Sequence, residues 1–161
     1  MAKKEILQKG DPVLAKKSRP VTEFNKKLHA LLDDMHDTLD HANGAGLAAV
    51  QIGILRRVVL VLDKEDNIRE LINPVLEETS GEQEGWEGCL SLSGLYGRVK
   101  RPMHATVKAQ DRDGNWFTLS GSGIVARCFC HELEHLEGEM FDQHSPQLYT
   151  EDELEKLESE D

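Results

Sequence analysis

The stretch His131-Glu132-Leu133-Glu134-His135 restricts the possible folds more than any other part of the sequence. Its two histidines share one face only if the segment is an α-helix, where residues i and i+4 stand one above the other. The flanking residues agree. Ile124, Val125, Cys128, Phe129, Leu133 and Leu136 recur at helical spacing from Ser122 onward, and Gly138 is a typical residue just past a helix end. On such a helix His131 and His135 can hold one metal ion. Glu132 projects about 100° round from His131, which places it to reach a metal-bound water as general base rather than to act as a ligand. HExxH alone also arises by chance on a solvated, charged helix face, so the reading depends on a third ligand elsewhere.

A catalytic site of this kind keeps three protein ligands and one open position. Cys89, in Glu87-Gly88-Cys89-Leu90-Ser91-Leu92, follows a Gly that allows close backbone approach, and the alternation after it suggests a strand. Cys128 is the rival, because three residues before His131 it falls within about 60° of the histidine face. Cys130 lies on a different face. For any one of the three, a small buried hydrophobe is the plainer role.

The rest of the pattern predicts an α+β fold, mostly antiparallel strands around a central helix carrying HExxH. Thr22 is a candidate N-cap for a helix whose Leu28, Leu31, Leu32, Met35 and Leu39 form one apolar face and which ends at Asn43-Gly44. His29, His36 and His41 on that helix lack partners at ligand spacing and read as solvated. Val58 to Leu62 and Ile68 to Val75 read as strands, and residues 104 to 119 as a hairpin turning at Asp113-Gly114. The small, apolar segment 44 to 51 reads as a buried turn and strand.

The chain's 161 residues are the size of one domain, expected over 1–161 with an acidic tail at 151–161. That tail holds seven acidic residues and one Lys, so it carries -6 of the formal net charge of -11. Such a surface repels phosphate backbones and anionic lipid, so neither nucleic acid nor membrane is an expected partner. The start of the chain lacks the apolar run of a signal peptide, and three cysteines are an odd number for a disulfide framework. A cytoplasmic location is expected.

Taken together, GAGLAAVQ at 44–51, EGCLSL at 87–92 and HELEHLEG at 131–138 resemble the three signature motifs of the peptide deformylase family, in order and spacing. The similarity runs from Gly10-Asp11-Pro12-Val13-Leu14 to Phe141, and Gly94-Leu95-Tyr96-Gly97 is closer to the bacterial-type enzymes. The resemblance implies hydrolysis of the N-formyl group from the N-terminal formyl-methionine of newly made polypeptides, by attack of metal-bound water with Glu132 as base. It further implies Cys89, His131 and His135 as ligands of one divalent metal, natively Fe2+ and replaceable by Ni2+, Co2+ or Zn2+. Gln51 and the Leu90 N–H would hold the formyl oxygen. Ala45, Gly46 and Gly88 would pair with the substrate backbone, and Cys128 with His131 would line the methionine pocket. The partners implied are N-formyl-methionyl nascent peptides, met transiently at the ribosome exit region. Four positions depart from the usual motifs: Cys130 stands for Gln, Glu134 for Asp, Ser93 for Pro, and Arg98 where an acidic residue is common. A metallopeptidase cutting internal bonds would need a downstream third ligand instead of Cys89. A pure binding module would need neither Glu132 nor Gln51.

Overall fold

In chain order, the computed structural model, which describes residues 2 to 160, consists of helix α1 (Lys26–Ala42), strands β1 (Gly46–Ala48), β2 (Val58–Leu62), β3 (Ile68–Ser80), β4 (Gln83–Cys89), β5 (Leu92–Arg101), β6 (His104–Gln110) and β7 (Trp116–Ser122), helix α2 (Ile124–Leu136), strand β8 (Leu148–Thr150) and helix α3 (Glu151–Glu160). β1-β2-β3-β6-β7 form one sheet and β4-β5-β8 a second, and every pairing is antiparallel. The expected α+β class with antiparallel sheets is what the chain adopts. Helix α2, which carries the HExxH residues, touches strands of both sheets.

Strand β2 shows why its sequence is a continuous apolar run and not an alternating one. Val58 and Leu60 point to the cluster under α1, with Leu28, Leu32, Met35 and Leu39, while Val59 and Val61 point to the cluster under α2, with Phe129 and Leu136. A strand buried on both faces has no solvent side to make polar. The hairpin turn falls at Asp113-Gly114, where Gly114 takes φ 90° and Asp111 Oδ1 accepts from Asp113 N–H at 2.9 Å and Asn115 N–H at 3.0 Å. Among the described residues, no helix is long and apolar enough to cross a membrane.

Several local expectations change. Asn25, not Thr22, caps α1, its Oδ1 accepting from Leu28 N–H at 3.1 Å. Asn73 accepts from Val21 N–H at 2.8 Å and donates to Val21 O at 2.9 Å, which ties the chain before α1 down in an extended form. β3 continues past Val75 to Ser80 because β6 pairs with it that far. His29 and His36 are half-buried, not solvated: His29 Nε2 meets Arg112 O at 2.9 Å and His36 Nε2 meets a Glu70 carboxylate oxygen at 2.8 Å.

Glu70 also takes two bonds from Arg112, at 3.0 and 2.5 Å. Burial opposes its ionisation, but the Arg112 and His36 bonds outweigh this and hold its pKa below the ordinary 4.5. A depressed carboxylate stabilises the fold above its unfolded pKa and loses that contribution as pH falls through the folded value. The urea midpoint should therefore drop on acidification below about pH 4.5 more steeply in the native protein than in Glu70→Gln; equal slopes would show that the network contributes nothing.

The acidic segment beyond Thr150 is helical. α3 packs beside β8 and β5, with Leu154 half-buried and residues 151–153 and 155–159 exposed. Deleting 151–161 is expected to change turnover by less than about threefold, since an acidic, solvated helix contributes little to a core. Loss of cooperative unfolding in the truncated chain would show instead that Leu154 and Leu157 anchor the second sheet.

Candidate active site

Strand β4 delivers Cys89 at its last position, and the chain reverses through Leu90 and Ser91 into β5. A strand thus lies before the thiol as well as after it, the one expected downstream of Cys89 beginning at Leu92 beyond a two-residue turn; the Gly88–Cys89 end of β4 is irregular in register. Cys89, His131 and His135 converge, their ligand atoms all within 4.8 Å of one another. Cys89 Sγ lies 3.3 Å from His135 Nε2, and the two imidazoles meet edge-on with centroids 5.2 Å apart. Cys128 stands outside this group. Its Sγ points to Ala45 O at 3.6 Å, and burial pushes its pKa up to about 12, so it is a wall thiol and not a thiolate. Cys130 is likewise buried and its pKa is raised by burial.

His131 Nδ1 donates to Glu87 Oε1 at 2.9 Å, which leaves Nε2 for the cluster. Glu87 is itself buried between two guanidiniums: Arg101 donates to both its oxygens at 2.9 Å and Arg127 Nη1 to one at 2.7 Å. Arg101 also donates to Glu134 at 2.8 Å, and His144 Nε2 reaches the same Glu134 oxygen at 2.8 Å. Burial opposes ionisation of Glu87, yet the Arg101 and His131 bonds hold its pKa far below the carboxylate range. For His131, burial works against the charged ring, but Cys89 and Glu87 raise its pKa well above normal. His135 goes the other way: burial, then the His131 and Arg101 charges, lower it to about 3, so it is a neutral, ligand-type imidazole. A thiol and two imidazoles, one of them oriented by a carboxylate through its Nδ1–H, are donors suited to a divalent transition ion.

Glu132 lies beside this cluster with Oε1 buried and without a partner among the described residues. Burial pushes its pKa up to about 7. Gly46 makes room for it, since a Cβ there would sit 2.7 Å from the Glu132 carboxylate. Gln51, on the 3-10 turn Ala49–Ile52, is almost wholly buried and lines the same cleft as Leu90, Cys128, His131 and Glu132. The cleft, about 500 Å³, opens between β1 and β4, each an edge strand of its sheet, and Ala45, Gly46 and Gly88 border it. Of the departures from the motif, Ser93 Oγ donates to Gln8 Oε1 at 3.1 Å, and Arg98 pairs with Glu84 and lies over the Trp86 ring.

The reading of the residues missed Glu87, Arg101, Arg127 and Ser91. Glu87 left one signal, standing two residues before Cys89 and hence on the same face of β4. Arg127 left one as well, standing four residues before His131 and hence on the same face of α2, whereas Arg101 left none, because nothing local links it to the motif.

Three convergent ligand-type groups with a buried acid beside them, on an α+β frame, are the arrangement of a hydrolase. The model of the Polypeptide deformylase family matches residues 3–150. Peptide deformylase 2 of Clostridium acetobutylicum is 47% identical over 142 residues, covering 88% of this chain and 94% of that protein. The peptide deformylase of Caldicellulosiruptor bescii is 45% identical over 159 residues, covering 99% and 95%. The crystal structure of a peptide deformylase from Legionella pneumophila superposes with a TM-score of 0.85 at 35% identity, over 98% of this chain and 96% of that one. The chain belongs to the peptide deformylase family, metalloenzymes that remove the N-formyl group from nascent peptides.

Proposed function

We propose that this protein acts in the cytoplasm, as one domain, on the formyl-methionine end of nascent chains near the ribosome exit, with Cys89, His131 and His135 holding one divalent ion, natively ferrous iron. The observation that carries the reading is the convergence of these three donors, two of which, Cys89 and His131, line with Glu132 a cleft bounded by two strand edges. When bound, the ion acidifies water and polarises the formyl carbonyl. Glu132 takes a proton from the attacking water and gives it to the departing amine nitrogen as the C–N bond breaks, leaving formate and a free amino terminus. Its pKa of about 7 suits both halves of that transfer. Gln51 Nε2–H and Leu90 N–H bind the formyl oxygen as it gains charge. Ala45, Gly46 and Gly88 offer backbone groups to the peptide as an added strand, and the methionine side chain enters between Cys128 and His131.

The test is formate release from formyl-Met-Ala, beside acetyl-Met-Ala and a peptide with only internal bonds, on anaerobically purified protein with its metal quantified. Turnover of the formyl substrate alone is expected. Internal cleavage without formate would replace this reading with a peptidase.

A further inference from the structure

Two hydrogen bonds determine how the side chain of Gln51 faces the cleft. Ala48 N–H donates to Gln51 Oε1 at 2.9 Å, so the carbonyl end of the amide is committed. Gln51 Nε2 donates to Ser91 Oγ at 3.0 Å and, over a longer contact, to Cys89 Sγ at 3.7 Å. A primary amide has two N–H bonds: with one directed to Ser91, the other faces Cys89 Sγ, which lines the same cleft as Gln51. Ser91 is completely buried, and its carbonyl accepts from Lys9 N–H at 2.7 Å, so the hydroxyl is held on a fixed piece of backbone. The same short turn carries Cys89 and the Leu90 N–H, and the bond to Gln51 ties it to the 3-10 turn Ala49–Ile52.

We infer that Ser91 is a positioning residue for deformylation: its hydroxyl accepts one N–H of Gln51 and so turns the other toward the formyl oxygen. The inference rests on the deformylase reading above. Donors aimed in advance at a developing oxyanion stabilise it without rearranging during the reaction, and that stabilisation falls when a donor is free to swing. Without the hydroxyl, Gln51 keeps its bond from Ala48 and the long contact to Cys89 Sγ but loses the shorter of the two contacts that orient its NH2 group.

Steady-state kinetics on formyl-Met-Ala for Ser91→Ala, Gln51→Ala and the double variant test this. Ser91→Ala should lower kcat about fivefold, the rate equivalent of one neutral hydrogen bond, with KM within about twofold and metal content unchanged. Gln51→Ala should lower kcat by about 10², and adding Ser91→Ala to it should cost nothing further, because the two act as one unit. An independent readout is the Gln51 side-chain amide signal in 15N NMR, which should move in Ser91→Ala while distant backbone signals stay. If Ser91→Ala does not fold, Ser91→Cys, similar in shape but a poorer acceptor, carries the same comparison. The same fivefold loss in both backgrounds, or an unchanged kcat with an unmoved amide signal, overturns the inference. Undiminished kcat in Gln51→Ala overturns it together with the oxyanion role of Gln51. Absence of formate from every form sinks the deformylase reading itself, and the amide signal still decides whether Ser91 holds Gln51.

Discussion

Cys89→Ala is expected to abolish both metal retention and deformylation, whereas Cys128→Ser should keep the metal and change chiefly the affinity for the methionine side chain. The geometry behind this is asymmetric. Cys89 Sγ is 3.3 Å from His135 Nε2 and within 4.8 Å of the other ligand atom, while Cys128 Sγ faces the Ala45 carbonyl and is held as a neutral thiol by burial. Removing Cys89 leaves two imidazoles, a donor set too small to compete with solvent for a divalent ion. A ligand thiolate is shielded by its metal, so in the loaded protein Cys89 should resist alkylation and become reactive once a chelator has stripped the ion. Cys128 should change little. Metal analysis and mass-spectrometric mapping of the alkylated thiols provide the check. A Cys89→Ala protein with stoichiometric metal and near-normal turnover would overturn the ligand assignment, above all if Cys128→Ser lost both.

Glu132→Gln should reduce turnover by about 10² or more while leaving metal content and fold in place. The amide has the shape of the acid but cannot take a proton from water or return one to the leaving amine. Burial already drives Glu132 toward its neutral form, with a pKa of about 7, so replacing it by a neutral group costs the fold little. Its melting temperature should accordingly be no lower than that of the native protein. Turnover, metal content and thermal unfolding measured on the same preparation separate the possibilities. If metal falls together with activity, Glu132 is a ligand and the proton-transfer role is wrong.

Much of this molecule was legible before its fold was known, wherever one short stretch carries its own period. The HExxH helix from Ile124 to Leu136, the Asp113-Gly114 hairpin and the doubly buried strand Val58–Leu62 are of this kind. Local pattern also nominated Cys89, and the family resemblance Gln51, but pattern alone left Cys89 and Cys128 as rivals, since helix geometry favours the thiol nearer in sequence. Tertiary structure decided which thiol stands with the two histidines, by ending β4 at Cys89 opposite α2 and turning Cys128 toward Ala45. It also supplied Glu87, Arg101 and Arg127 behind His131 and Ser91 behind Gln51, from segments up to 44 residues apart. The cap of α1 moved from Thr22 to Asn25 for the same reason, a distant Asn73 holding the chain extended. Periodicity and turn chemistry act between neighbours in sequence and so can be read from it. Burial, the pKa of a carboxyl, and the choice of a hydrogen-bond partner depend on which surfaces meet, and that is settled only when the strands of the two sheets pack against α2.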